Sequence, residues 1–397
     1  MRFVRRHAVT ALFLIAMLAA AIRAPARNWD MLCYVASVSA WTLDTPEAIY
    51  QATMANVAAT APEWLVQQFS ANPLSSSAAN FAHVLPMCQV KPLYNLSVWA
   101  VSGIAGLPLS SATSIVSALA FAALTLFMLV IPLKECPRPV WLGAILGLTF
   151  LGEGPMAQLP RLSTPDSLCT SFMVLAAASL LAKREALFAA AALLASLARP
   201  DAEIPMMFLA VWSVRDCWRS PRGRTWMIPA GCIVSLILAQ TLVGRFAHSY
   251  TLEKMFYYSF MNRTPAIASL SDNLVSADAY LGILSSGFGT LMATPRFWVV
   301  AAMALLGGAS YYLIPAKSVR RHAAVLAVLC AAFVIRFLIW PIAGEDRFYF
   351  GYFLISLYCS LELLFPCLKV AHAAILGWRA ALSERYRRLE EAGHKAT

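Results

Sequence analysis

The stretch "KPLYNLSVWAVSGIAGLPLSSATSIVSAL", residues 91–119, decides which fold this chain can adopt. Its first part, 92–106, is apolar but just too short to cross a bilayer comfortably, because a transmembrane helix needs about 20 apolar residues. Tyr94 and Trp99 are side chains that favour the boundary between membrane and water. The pattern therefore predicts a helix lying in the interface, followed by a true span over 109–132.

The composition of the whole chain agrees with a membrane location. Of its 397 residues, 60% are hydrophobic and 13% are charged, and the mean hydropathy is +0.66. These values exclude an ordinary soluble domain, and the long continuous apolar runs exclude a membrane β-barrel. We expect an all-α fold, a polytopic membrane helical bundle of about ten transmembrane helices forming a single transmembrane domain over 1–397. The predicted spans are 8–22, 109–132, 139–153, 166–182, 186–199, 203–215, 226–243, 297–315, 323–342 and 348–370.

The charges give the orientation of these spans. The net charge is +11, but the basic residues lie in short clusters between apolar runs, which does not indicate nucleic-acid binding. With the N-terminus inside, the cytoplasmic loops and the end of the chain from Lys369 onwards hold 20 of the 31 lysines and arginines, and 13 of the 20 acids fall outside. This is the positive-inside rule, and it predicts that both termini are cytoplasmic, with a cytoplasmic tail over 371–397. We expect a multi-pass protein embedded in a lipid bilayer, that of a bacterial inner membrane.

Two long segments, 23–108 and 244–296, are predicted on the outer side. The first has helix-like apolar spacing with polar faces, which predicts interfacial helices. The nine cysteines show no spacing typical of zinc or iron–sulfur sites. Cys33 and Cys88 both fall in the first outer segment, where we expect two free thiols, with a disulfide as the alternative.

An aspartate just after the first span, Asp30 in "NWDMLCY", precedes this large outer segment and the stretch 91–119. In this order the features resemble the GT-C superfamily, the integral-membrane glycosyltransferases with a dolichyl-phosphate mannosyltransferase-like fold. The resemblance covers roughly the first third of the chain, and the later spans match only in layout. It implies transfer of a sugar from a polyprenyl-phosphate donor to a glycan, lipid or protein acceptor on the outer, periplasmic or lumenal face.

Such a transfer needs a base near the acceptor hydroxyl, and cationic or metal help for the leaving phosphate. The resemblance implies that Asp30 contacts or deprotonates the acceptor; a helix N-terminal acid is the alternative. Tyr34, four residues on, shares its helix face and can line the same pocket, or anchor the helix at the interface. Asp166 in "RLSTPDSL" is the second catalytic candidate, positioning the acceptor or sharing a divalent metal with Asp30, and its alternative role is a helix cap.

Further polar residues are predicted to bind substrate. Lys91 matches the family's basic position before Pro-Leu-Tyr and can contact phosphate as a point charge, with a snorkelling interfacial lysine as the alternative. The remaining candidates are Tyr94, Arg161, Arg199, Asp201 and Arg347, of which the arginines are also candidates for holding phosphate. For Arg199 the alternative is a salt bridge with a neighbouring acid. Arg336 lies inside a predicted span, where we expect it to pair with Glu362 on the next span.

Two other functions remain open at this point. A transporter or flippase for a lipid-linked or anionic substrate would place charges near the bilayer midplane and show broken helices and repeated halves. Here the acids gather at one face and no repeat is found. An inactive membrane scaffold would keep the fold and lose the site. No cofactor motif occurs, and only a divalent metal is left open as a cofactor.

Overall fold

The computed structural model describes residues 25–72, 74–131, 134–138, 140–141, 159–218, 226–247, 275–342 and 346–394, with a few single residues elsewhere. The predicted spans 8–22 and 139–153 lie almost entirely outside these described residues. The described part of the chain is helical and contains no strand. It has one isolated β-bridge, between Ala26 and Leu162.

The first outer segment folds into six helices. They are α1 Trp29–Ser39, α2 Pro46–Ala58, α3 Glu63–Ala71, α4 Ala78–Val84, α5 Pro86–Gln89 and α6 Pro92–Ala105. Helix α1 is buried from Met31 to Ser39, so the rest of the protein encloses it. Its two serines, Ser37 and Ser39, tolerate burial because each hydroxyl donates to the carbonyl oxygen four residues earlier.

Helix α6 has the two-sided character predicted for the interface. Tyr94, Asn95 and Val98 are buried against the rest of the protein. Trp99 and Ile104 are exposed. The helix ends at Gly106, whose φ of 61° is the left-handed conformation that glycine adopts without strain.

A disulfide between Cys33 and Cys88 joins α1 to α5, with 5.8 Å between the two Cα atoms. The expectation of two free thiols is therefore wrong. The two cysteines are 55 residues apart in sequence, and only the packing of α5 against α1 brings them within bonding range. The bond holds the stretch before Lys91 against the helix that carries Asp30.

Nine helices follow in the described part of the chain. They are α7 Leu109–Val130, α8 Asp166–Leu181, α9 Glu185–Ala198, α10 Glu203–Trp218, α11 Met227–Phe246, α12 Ala277–Ala293, α13 Pro295–Leu313, α14 Lys317–Ile339 and α15 Phe350–His394. The last helix continues through Pro366 into the predicted tail. Helix α12 occupies the end of the second predicted outer segment.

Only some of these helices are long enough to cross a membrane. Among the described residues, α7, α11, α14 and α15 are long and apolar enough, and α12 with α13 makes a fifth span if their 79° bend lies within one crossing. Helices α8 and α9 have 16 and 14 residues, or about 24 and 21 Å, against about 30 Å of hydrocarbon. A helical membrane bundle is thus supported, whereas ten spans are not.

The bundle core places the beginnings of α1 and α8 at the same end, which we call the site end. Helix α8 packs against α7, α9 and α15, and its buried side chains join one hydrophobic cluster with theirs. The backbone N–H of Ala26 donates to the carbonyl oxygen of Arg161 at 2.9 Å. This bond ties the chain entering α1 to the chain entering α8, so Asp30 and Asp166 start close together.

Candidate active site

Charged side chains from four parts of the chain meet at the site end. Asp30 lies in the first turn of α1 and Asp166 in the first turn of α8. Arg199 and Asp201 belong to the short turn between α9 and α10, and Arg347 to the 3-10 turn before α15. All five were predicted as site residues, and the structure brings them together.

These side chains form an alternating chain of ion pairs. Arg347 Nη1 donates to Asp30 Oδ2 at 2.7 Å and lies 3.9 Å from Asp166 Oδ2. Arg199 Nη1 donates to the other oxygen of Asp166. Arg199 Nε and Nη2 also donate to the two oxygens of Asp201 at 2.9 and 3.0 Å, the paired geometry in which arginine binds carboxylates best. The ion pairs thereby link α1, α8, the α9–α10 turn and the start of α15.

Arg336 of α14 extends the chain of ion pairs. Its Nη2 donates to Asp201 Oδ2 at 2.9 Å, and its guanidinium lies 4.5 Å from the centre of the Tyr349 ring. The predicted pair of Arg336 with Glu362 is wrong, because Glu362 lies about 18 Å further along α15 from the site end. Glu362 instead accepts backbone N–H bonds of 3.1–3.3 Å from residues 134–136.

Lys91 lies beside this chain, with its ammonium group held by α1. Lys91 Nζ donates to Tyr34 Oη at 2.8 Å. Tyr34 packs edge-on against Tyr94 with 4.8 Å between ring centres, and Tyr94 Oη donates to the carbonyl oxygen of Thr113 at 3.0 Å. Tyr34 and Tyr94 are both buried. Tyr34 holds the ammonium group of Lys91, and the bond to Thr113 fixes Tyr94 against α7.

Arg161 is the remaining predicted residue, and its backbone contributes to the arrangement of the site. Its carbonyl oxygen accepts the hydrogen bond from Ala26 that joins the entries to α1 and α8. It precedes Asp166 in the same loop. The prediction that its side chain holds phosphate is not tested by this contact.

The two catalytic candidates differ in accessibility. The Asp30 side chain is 31% exposed, whereas that of Asp166 is 1% exposed. A substrate hydroxyl can therefore reach Asp30 directly. Asp166 is enclosed by Arg199 and Arg347, and its carboxylate holds both guanidinium groups in position.

Burial and charge act against each other at Asp30 and Lys91. Burial raises the pKa of Asp30, but the positive charges of Arg347 and Lys91 outweigh it and hold that pKa below its usual range. Burial lowers the pKa of Lys91 to about 8, and the negative charge of Asp30 offsets this only in part. At neutral pH Asp30 is thus ionised, and Lys91 is charged but close to its titration range.

A small pocket opens between the ion pairs and the first turn of α15. The centre of a water-sized group can occupy about 10 Å³ of it, which is room for about one water molecule. Its lining includes Asp166, Arg199, Asp201 and Arg347. The six other lining residues were not predicted as site residues: Cys169, Thr170, Met173, Ala202, Gly351 and Tyr352. The aromatic run after Arg347, which includes Tyr352, is typical of an interfacial belt first and of a platform for a sugar or lipid second, and this second interpretation was the available signal.

A divalent metal shared by Asp30 and Asp166 was left open by the sequence and is not tested by the structure. Within the described residues, no group of three or more His, Cys, Asp or Glu side chains is arranged to hold a metal ion. The guanidinium of Arg347 lies between the two carboxylates.

Comparison of the chain with protein-family models, with curated proteins and with solved structures finds no match in any of the three. The function is therefore argued from the site itself.

Proposed function

We propose that this protein is a membrane glycosyltransferase of GT-C type. It transfers a sugar from a polyprenyl-phosphate donor to an acceptor hydroxyl on the outer, periplasmic or lumenal, face of its membrane. One observation supports this most directly: Asp30, an accessible carboxylate, lies beside Lys91 and Arg347 at one end of an apolar helical bundle. A base and phosphate-binding cations at the membrane boundary are what the reaction needs.

In the proposed reaction Asp30 accepts the proton of the acceptor hydroxyl. The hydroxyl oxygen then forms a bond to the anomeric carbon of the donor sugar, while the bond from that carbon to the phosphate oxygen breaks. The electron pair leaves with the phosphate, whose negative charge Lys91 balances. A single displacement of this kind inverts the anomeric configuration.

The surrounding ion pairs prepare Asp30 for this role. A base has to be ionised to accept a proton. The positive charges of Arg347 and Lys91 outweigh the effect of burial on the pKa of Asp30, so its carboxylate stays ionised at neutral pH. Asp166 holds Arg347 and Arg199 from behind. The residues that hold the base come from helices far apart in sequence, so the site exists only in the folded bundle.

The direct test is sugar transfer by the purified full chain in lipid nanodiscs, supplied with radiolabelled polyprenyl-phosphate sugars and candidate acceptors. Asp30→Asn keeps the shape of the side chain and removes the base, so we expect a loss of at least about 100-fold in transfer. Asp44→Asn is the matched control, because Asp44 is an exposed acid of the same segment.

Two results would count against the proposal. Sugar transfer by Asp30→Asn at the wild-type rate would show that Asp30 is not the catalytic base. Movement of lipid-linked sugar across the bilayer, with no transfer to any acceptor, would favour a transporter or flippase.

A further inference from the structure

Tyr352, in the first turn of α15, carries a polar group whose role the reaction above does not explain. The residue is 6% exposed. Its hydroxyl is buried and has no hydrogen-bond partner among the described residues, although buried hydroxyls are nearly always hydrogen-bonded. Tyr352 lines the pocket together with Asp166 and Arg347. Its hydroxyl therefore borders a space in which a ligand can supply the hydrogen-bond partner.

The charges around this pocket indicate which ligand fits. Two carboxylates, Asp166 and Asp201, are matched by two guanidinium groups, Arg199 and Arg347, and each arginine already donates to a carboxylate. An anion entering here would meet both carboxylates and would have to draw an arginine away from its partner. A neutral hydroxyl group both donates and accepts, so it can bond to a carboxylate and to the hydroxyl of Tyr352 at once.

Apolar and closely packed groups also line the pocket. They include Met173, Ala202 and Gly351. A Cβ atom at position 351 would lie 2.7 Å from the sulfur of Met173, so glycine is needed there for Met173 to keep its place. The space left among the lining residues is water-sized, so it admits one hydroxyl group of a sugar and leaves the ring outside.

We propose that this pocket takes one hydroxyl group of the donor monosaccharide, which hydrogen-bonds to Tyr352 Oη, while the sugar ring lies across the pocket mouth. It is not a phosphate subsite, and the phosphate lies outside it, towards Lys91. This inference rests on the proposed function, because only there does the ligand carry both a sugar and a phosphate. It identifies Tyr352 as a residue that selects the sugar.

The test measures binding and needs no turnover. The full chain in nanodiscs is titrated with farnesyl phosphate bearing single hexoses or pentoses, with bare farnesyl phosphate, and with inorganic phosphate. We expect at least one sugar-bearing lipid to bind more tightly than the bare lipid phosphate. Tyr352→Phe is expected to weaken that binding by about 3- to 10-fold, the loss of one neutral hydrogen bond, and to leave bare farnesyl phosphate unaffected.

Tyr358→Phe is the matched control, because Tyr358 is a buried tyrosine of the same helix that packs against Trp141 and His322 and does not line the pocket. We expect it to change neither affinity. Monodeoxy sugars identify the bonded hydroxyl: for the analogue that lacks it, Tyr352→Phe should cause no further loss. Gly351→Ala pushes Met173 towards the pocket and should weaken only the sugar-bearing lipids.

Three results would overturn the assignment. These are equal weakening of sugar-bearing and bare lipid by Tyr352→Phe, weakened binding of inorganic phosphate, and a wild-type protein that does not distinguish any sugar-bearing lipid from the bare one. Binding that depends on Tyr352, in a protein that transfers no sugar, would support the assignment of the pocket and contradict the proposed glycosyltransferase activity. The two proposals can therefore fail separately.

Discussion

At the residue scale, Lys91 differs from the arginines around it. Its ammonium group donates to the hydroxyl of Tyr34, and it makes no ion pair with a carboxylate of the described residues. Arg199, Arg336 and Arg347 each bind at least one aspartate. Lys91 is thus the cation that can turn to an incoming phosphate without first giving up an acid partner.

The charge of Lys91 predicts that the activity falls at alkaline pH. The burial-lowered pKa of Lys91 is about 8, so its positive charge, and with it phosphate binding, is lost as the pH rises through 8. We expect kcat/KM for the lipid donor to fall above that pH. Lys91→Arg should abolish this fall because a guanidinium stays charged. Lys91→Met should be about 100-fold less active at pH 7. A limb that persists unchanged in Lys91→Arg belongs to another group.

The pair between Asp201 and Arg336 concerns stability. The Arg336 side chain is 2% exposed in the last turn of α14, and its Nη2 lies 2.9 Å from Asp201 Oδ2. Asp201→Asn would remove the carboxylate charge that binds both Arg336 and Arg199, so we expect it to lower the free energy of unfolding by about 3–5 kcal/mol. Asp216→Asn breaks the partly exposed pair with Arg321 and should cost less than about 1 kcal/mol. Thermal unfolding in detergent compares the two variants, and equal losses would show that burial of the pair does not matter.

At the element scale, the disulfide fixes how α1 meets α5 and α6. It places Tyr34 of α1 within 2.8 Å of Lys91, so the part of the site that carries Lys91 depends on this crosslink. A disulfide also persists only in an oxidising compartment, which agrees with the predicted outer location of the segment.

The crosslink predicts a specific alkylation pattern. In the unfolded, unreduced protein, mass spectrometry should find seven modified cysteines, since seven are free. Cys33 and Cys88 should react only after reduction. The double variant Cys33→Ser and Cys88→Ser should lose about 2–5 kcal/mol of stability. Cys217→Ser, at a buried free thiol, is the control. Alkylation of Cys33 and Cys88 without reductant would contradict the pairing.

Helices α8 and α9 form a hairpin whose two open ends meet. Arg199 at the end of α9 binds Asp166 at the start of α8, so both ends lie at the site end. The closed end, at Arg184, is exposed. Both helices are short for a bilayer. The side of the membrane from which a labelling reagent reaches position 184 therefore shows whether the hairpin crosses the bilayer.

At the scale of the whole molecule, orientation follows from charge. The positive-inside rule places the site end outside and the Arg184 turn inside. We expect Glu47→Cys, at an exposed position of α2, to react with a membrane-impermeant maleimide in intact cells. Arg184→Cys should react only after permeabilisation. Labelling of Arg184→Cys in intact cells would mean that the hairpin re-enters the outer surface or that the orientation is inverted.

The sequence by itself determined the environment of this protein and the place of its site. Continuous apolar runs cannot be solvated, so they predict membrane helices. Loop charges predict the orientation. Charges at the mouth of a helical bundle are costly unless they are paired or solvated, and this indicated Arg199 and Asp201. Asp30 was identified from the resemblance to the GT-C superfamily, and Asp166 and Arg347 from their places at the start of predicted spans together with that resemblance. The apolar runs and the loop charges need only local composition.

The tertiary structure alone decided which residue binds which. Arg347 and Asp30 are 317 positions apart, and Arg336 and Asp201 are 135 apart. Whether such residues meet depends on helix packing and on the depth of each residue along its helix, and local periodicity carries no information on either. For the same reason the sequence paired Arg336 with the wrong acid, left Cys33 and Cys88 unbonded, and did not identify Tyr352 as a pocket residue.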